Sequence, residues 1–193
     1  MEADWEFELG GDAPIIDACW PGFVDLQRAP EAAWNLPETA EFPALAEALA
    51  ELNASASPVW TSKCDFWPRL ESDEFDADEL DASPGSFAHA MGCYIDLLPK
   101  IGWQPGQAAT VCKNICVLLR GIPLRCCRAD LVIRRAFISA EVAEQGVTAY
   151  LTACGHSSAE AALTLQAALT ALTDAVGCVA GTIDDRMNMY SGE

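Results

Sequence analysis

Arg128-Ala129-Asp130-Leu131-Val132-Ile133-Arg134 is the stretch on which the fold turns. A β-strand sends successive side chains to opposite faces. This run therefore puts Ala129, Leu131 and Ile133 on one face, with Cys127 before them. Arg128, Asp130, Val132 and Arg134 fall on the other. One side of the sheet belongs to a core and the other carries charge.

The same alternation recurs in neighbouring runs. In 88–98, Met91, Cys93, Ile95 and Leu97 share the apolar parity, and Tyr94 and Asp96 the polar one. In 147–154, Val147, Ala149 and Leu151 point inward, and Thr148, Tyr150 and Thr152 outward. In 58–67, parity groups Trp60, Cys64 and Phe66 as apolar, and Thr61, Lys63, Asp65 and Trp67 as polar. Trp5, Phe7 and Leu9 alternate with acids in an opening strand. Pro14 to Trp20 is a second extended piece. Phe23-Val24-Asp25-Leu26 reads as its continuation, which adds Phe23 and Asp25 to the outward set.

Helical spacing appears three times. Phe42, Leu45, Leu49 and Leu52 predict a helix over 43–53, with Pro43 in its first turn. Ala108, Cys112, Ile115 and Leu119 predict one over 107–120, stopped by Gly121 and Pro123. Leu165, Leu169, Leu172 and Val176 predict the last, opened by Ser157 and Glu160 as a capping box. Gln145-Gly146 reads as the turn between the last two strands. The tail from Gly181 lacks anchoring residues.

These elements predict an α+β domain spanning 1–193, a mostly antiparallel sheet with about three helices packed on one face. The order suggests a ferredoxin-like or tandem ferredoxin-like arrangement, an analogy that carries no function. A short echo between Phe23-Val24-Asp25-Leu26 and Tyr94-Ile95-Asp96-Leu97 suggests two related halves, about 1–70 and 86–180, joined by an acidic loop over 71–85. That loop reads as solvated.

Composition narrows the partners. The 193 residues carry a formal charge of −18, which repels nucleic acid and anionic membranes. Seven acids cluster between Glu71 and Asp81, yet the rest of the chain remains acidic. The acidic N-terminus does not resemble a secretory signal. Nine cysteines without that signal point to reduced thiols and a cytoplasmic protein. Cys112, Cys116, Cys64, Cys93 and Cys127 have core parity, so metal ligation is not expected of them. Cys126 turns outward beside Arg125 and Arg128, where a thiol would be activated. His89 and His156 form no recognisable motif, and no nucleotide or serine-hydrolase pattern occurs.

The candidate site is therefore the polar sheet face: Lys63, Asp65, Trp67, Tyr94, Asp96, Arg128, Asp130, Arg134 and Tyr150. Four of the eleven basic residues fall between Arg125 and Arg135. Arginine forks suit carboxylate or phosphate, so a small anionic molecule is the expected ligand, with a protein partner as the other guest. The flanking cations should hold the aspartates ionised and so favour recognition over proton transfer. An enzyme would use Asp96 or Asp130 as base and Arg128 or Arg134 as anion clamp. A homodimer interface and a plain solvated face remain open alternatives.

Overall fold

The computed structural model describes every residue except 19, 72–73, 84–87, 105, 140–141 and 191–193, and omits the side chains of 139, 142–143 and 180–190. Of the acidic loop over 71–85, residues 72–73 and 84–85 lie outside the described set.

Six strands form one sheet: β1 (Glu2–Glu8), β2 (Ile15–Asp17), β3 (Val59–Trp67), β4 (His89–Pro99), β5 (Cys127–Ser139) and β6 (Val142–Gly155). The order across it is β1-β5-β6-β4-β3, and β2 extends the β1 edge along β5. Pairings β5–β6, β6–β4 and β4–β3 are antiparallel. β1 and β2 run parallel to β5, with Glu2 beside Arg128 and Glu8 beside Arg134. The α+β class thus holds, but the sheet is mixed. The parallel edge departs from the antiparallel sheet that a ferredoxin-like order requires.

A 3-10 helix (Pro30–Asn35) and α1 (Pro37–Ala40) occupy the proline-rich connection; α2 (Pro43–Asn53), α3 (Gln107–Arg120) and α4 (Ser158–Tyr190) follow. Leu45, Leu49 and Leu52 of α2, Ile115 and Leu119 of α3, and Leu165, Leu169 and Leu172 of α4 join the odd-numbered residues of 91–97 in β4, 127–133 in β5 and 147–153 in β6 in one core. Each such leucine withdrawn from water contributes about 1.5–3 kcal/mol. The Glu160 amide donates to Ser157 Oγ at 3.2 Å, while the Glu160 carboxylate accepts from the His156 amide at 2.9 Å. α4 continues helical to Tyr190, past the Gly181 boundary. Its Ser158–Val179 part is long and apolar enough to cross a membrane by length and composition, yet its stripe is buried beneath the sheet.

Three expectations fail for local physical reasons. The β5–β6 turn is not at Gln145-Gly146; both residues sit inside β6, opposite Arg135 and Arg134. Gly146 is there because a Cβ would come within 2.8 Å of Ile16 and Leu98 side-chain atoms. Phe23–Leu26 is not a strand, and Asp25 instead pairs with Arg28 at 3.2 Å within a turn. The echoed segments therefore differ in conformation, since Tyr94–Leu97 lies within β4. Finally, a register break between Thr61 and Cys64 inverts the parity of β3. A bulge adds one residue to one strand and swaps the faces beyond it. Thr61 thus faces α2, where the Asn53 Nδ2 group donates to its hydroxyl at 2.7 Å. Trp60 turns to the face opposite the helices.

Candidate functional site

The helix-free face is a trough with two apolar ends. At one end, the chain after β2 crosses from the β5 edge towards β3. Ile16, Ala18, Trp60, Leu98 and Ala136 pack there with Phe23, whose ring meets Trp60 edge-on at 6.1 Å. Ser62 Oγ donates to the Asp17 carbonyl at 2.9 Å and ties this strap down. At the other end, the acidic excursion folds over the sheet. Leu80, only 2 % exposed, packs with Leu70, Phe75, Ala90 and Cys154. The excursion is therefore not simply solvated: its apolar residues form a small core while its described acids are exposed. Arg125 binds Asp81 at 2.8 Å and Arg128 binds Glu79 at 3.2 Å, which fixes the flap to β5.

Between the flaps, the middle of the sheet stays partly open. Trp67, Tyr94 and Tyr150 form a row across β3, β4 and β6, with successive ring centroids 5.8 Å apart. A Cβ at Gly92 would come within 3.1 Å of the Leu151 carbonyl oxygen and 3.3 Å of Leu70, with the Trp67 ring at 3.4 Å. All three rings are half-buried.

A polar network underlies the row. Thr148, fully buried, donates to Asp96 Oδ1 at 2.6 Å. Arg134 Nη1 donates to Thr148 Oγ1 at 3.1 Å and to the Tyr150 hydroxyl at 3.0 Å. Arg134 Nε and Nη2 both donate to Glu8 Oε2, at 2.8 and 2.6 Å. The Arg134 guanidinium also lies 5.5 Å from the Tyr150 ring centroid, and Lys63 Nζ lies 5.6 Å from that of Trp20. Arg128 Nε donates to both oxygens of Asp130, at 2.8 and 2.9 Å.

All nine expected residues share this face, though in two groups. Lys63, Asp65, Trp67, Tyr94, Asp96, Arg134 and Tyr150 surround the aromatic row. Arg128 and Asp130 lie nearer the flap, beside Asp4 and Glu6 in a surface recess. Two parts were invisible to parity. Glu8 closes the Arg134 fork, and only the parallel β1–β5 pairing brings it there. Trp20 arrives on the strap. The alternating acids Asp4, Glu6 and Glu8 were a readable signal for a polar face, but not for its neighbour.

The electrostatics correct one expectation. Flanking cations do not hold Asp96 and Asp130 below the usual carboxylate range. Burial dominates at Asp96 and pushes its pKa up, against the Thr148 bond and the Arg134 and Lys63 charges. Burial likewise raises Asp130 against Arg128. The Tyr94 phenol is pushed up to about 12 by burial first, then by Asp96 and Asp65.

Most of the described thiols are buried. Burial raises Cys112 and Cys154 to about 12, and Cys127 to about 11. Cys126 adopts a left-handed backbone, φ 60°, and packs against the flap cluster. The arginines expected to activate it are both engaged by carboxylates. Among the described residues, no group of three or more His, Cys, Asp or Glu could hold a metal ion. Comparison with protein-family models, with curated proteins and with solved structures finds no match.

Proposed function

We propose that the trough is a recognition site for a small ligand, held on the aromatic row between the two flaps. The row itself carries this reading: three half-buried rings aligned across three strands, over a hydrogen-bonded polar network. Ligand sites combine apolar walls with a few fixed polar groups. An aromatic row left partly open serves packing poorly, because the same rings would stabilise more if covered.

The enzymatic reading has weaker support. Asp96 has the raised pKa of a proton-transfer group, but both arginines that would clamp an anion are occupied by carboxylates. A homodimer that buries this face is the competing binding role. A cytoplasmic location belongs to the same proposal; the high cysteine content of the chain supports it.

A thermal-shift panel of small amines, carboxylates, sugars and nucleosides tests the site. A hit at ~100 times its Kd stabilises by about 2.7 kcal/mol, or roughly 5–11 °C for a chain of this size. Trp67→Leu should abolish the shift without comparable loss of the unliganded melting temperature. Hits that Trp67→Leu and Tyr94→Leu leave unchanged would place binding elsewhere. Light scattering that reports a dimer, with Trp67 protected from solvent quenchers, would replace the ligand by a second copy.

A further inference from the structure

We infer that the trough takes a cationic guest, an alkylammonium or guanidinium group laid on the Tyr94 ring with Asp96 and Asp65 as counter-charges. This rests on the trough's being a ligand site, and it reverses the sign that the arginine-rich sequence suggests.

The arginines are the first reason. Four of the five N–H groups of Arg134 are used: Nε and one of Nη2 by Glu8, and both of Nη1 by Thr148 and Tyr150. Arg128 is engaged by Asp130 through Nε and by Glu79 through Nη1. An anionic guest would have to expel an internal carboxylate that already has short, charge-assisted geometry. It would exchange one such bond for another and gain little.

Asp96 is the second. Its side chain lies on the trough floor and is only 5 % exposed. Among the described residues, Thr148 is the only donor to its carboxylate, through Oδ1. Buried carboxylates ordinarily collect further donors, because an unsatisfied lone pair in a low-dielectric site is costly. Oδ2 is not among the fully buried atoms left without a partner, so it stays open to a donor arriving from the trough. An ammonium or guanidinium group is such a donor and also neutralises the charge.

The rings are the third. Aromatic faces attract cations within about 6 Å of the centroid. The trough already holds two of its own in this way, Arg134 over Tyr150 and Lys63 over Trp20. Tyr94, between Trp67 and Tyr150, has no such cation among the described contacts. The wider field agrees: Glu2, Asp4, Glu6, Glu8, Asp65, Asp96 and Asp130 outnumber the described cations at this face, Lys63, Arg128 and Arg134 with Arg120 reaching Asp4, in a chain of charge −18. Such a surface steers cations in and anions away.

The test titrates the full chain, followed by amide NMR shifts, with three probes of one shape: benzyltrimethylammonium, benzyl alcohol and benzoate. The cation should bind at least ~10-fold more tightly than benzoate, a preference of the size expected for cation–aromatic and charge terms together. Its shifts should centre on residues 63–67, 94–96 and 148–150. Asp96→Asn should cut that preference several-fold. Asp65→Asn, at a more exposed position, should reduce it too, and serves if Asp96→Asn misfolds. Benzoate binding as tightly as the cation, with the same shifts, would overturn the charge assignment and leave the trough as a site. Shifts absent from these strands for all three probes would overturn both.

Discussion

Thr148→Val isolates the polar floor. Valine matches threonine in shape, so the fully buried position stays filled. What disappears is the 2.6 Å bond to Asp96 and the 3.1 Å bond from Arg134. Arg134 keeps Glu8 and Tyr150, so its loss is small. Asp96 loses its one described donor while staying buried. A hydrogen bond to a charged group contributes about 1.5–3 kcal/mol, and the added methyl offsets up to about 0.8 kcal/mol. The net expectation at about pH 7 is roughly 1–2 kcal/mol of destabilisation. For a chain of this length that lowers the melting temperature by roughly 2–8 °C. The effect must depend on pH in one direction. The Thr148 bond favours ionised Asp96, so its removal raises the folded-state pKa further. The difference between the two proteins is then full at pH values above both folded pKa values. It shrinks as pH falls and Asp96 becomes protonated in each. Urea titrations by tryptophan fluorescence at about pH 7 and about pH 3 measure it. A neutral substitution, or an equal cost at both pH values, would refute the account of Asp96 as a buried charge held by Thr148.

Asp96→Asn should be neutral to stabilising by about 1 kcal/mol near pH 7. Burial raises the Asp96 pKa, so the ionised side chain opposes folding, by an amount that grows as pH rises from the usual carboxylate range through the folded pKa. A loss of stability at neutral pH, read by urea midpoint, would contradict this. Leu80→Ala should cost about 2–4 kcal/mol, since the residue is 2 % exposed in the flap cluster. It should also speed proteolysis within 70–82; a cost under about 0.5 kcal/mol would mean that the flap is not packed on the sheet. Alkylation of the native protein should reach exposed Cys178 well before Cys93, Cys112 or Cys154, whose thiols are buried with raised pKa values. Mass mapping that finds Cys93 modified first would refute the burial assigned to β4.

Much of this was legible in the chain. Parity alone separated Ala129, Leu131 and Ile133 from Arg128, Asp130 and Arg134, because side-chain alternation is a property of any extended backbone. Helical spacing set the bounds of α2 and α3 for the same reason. Parity failed at Trp60 and Thr61, where a bulge changes the count without any glycine or proline to announce it. It failed at Gln145-Gly146, where glycine marks a close approach by Ile16 and Leu98 rather than a turn. The acidic excursion was misread because its many charges hid Leu70, Phe75 and Leu80, whose burial depends on a distant strand end.

The sequence by itself determined that one sheet face would be polar and which nine residues it would carry, since that follows from local periodicity. Only the tertiary structure decided what those charges do. Sequence proximity made Arg134 look like a clamp for an incoming anion. The parallel pairing of β1 with β5, a contact between residues more than a hundred positions apart, brings Glu8 to it and closes the fork. Whether a charge is open to a ligand depends on its nearest neighbour in space, and that neighbour is set by packing rather than by spacing along the chain.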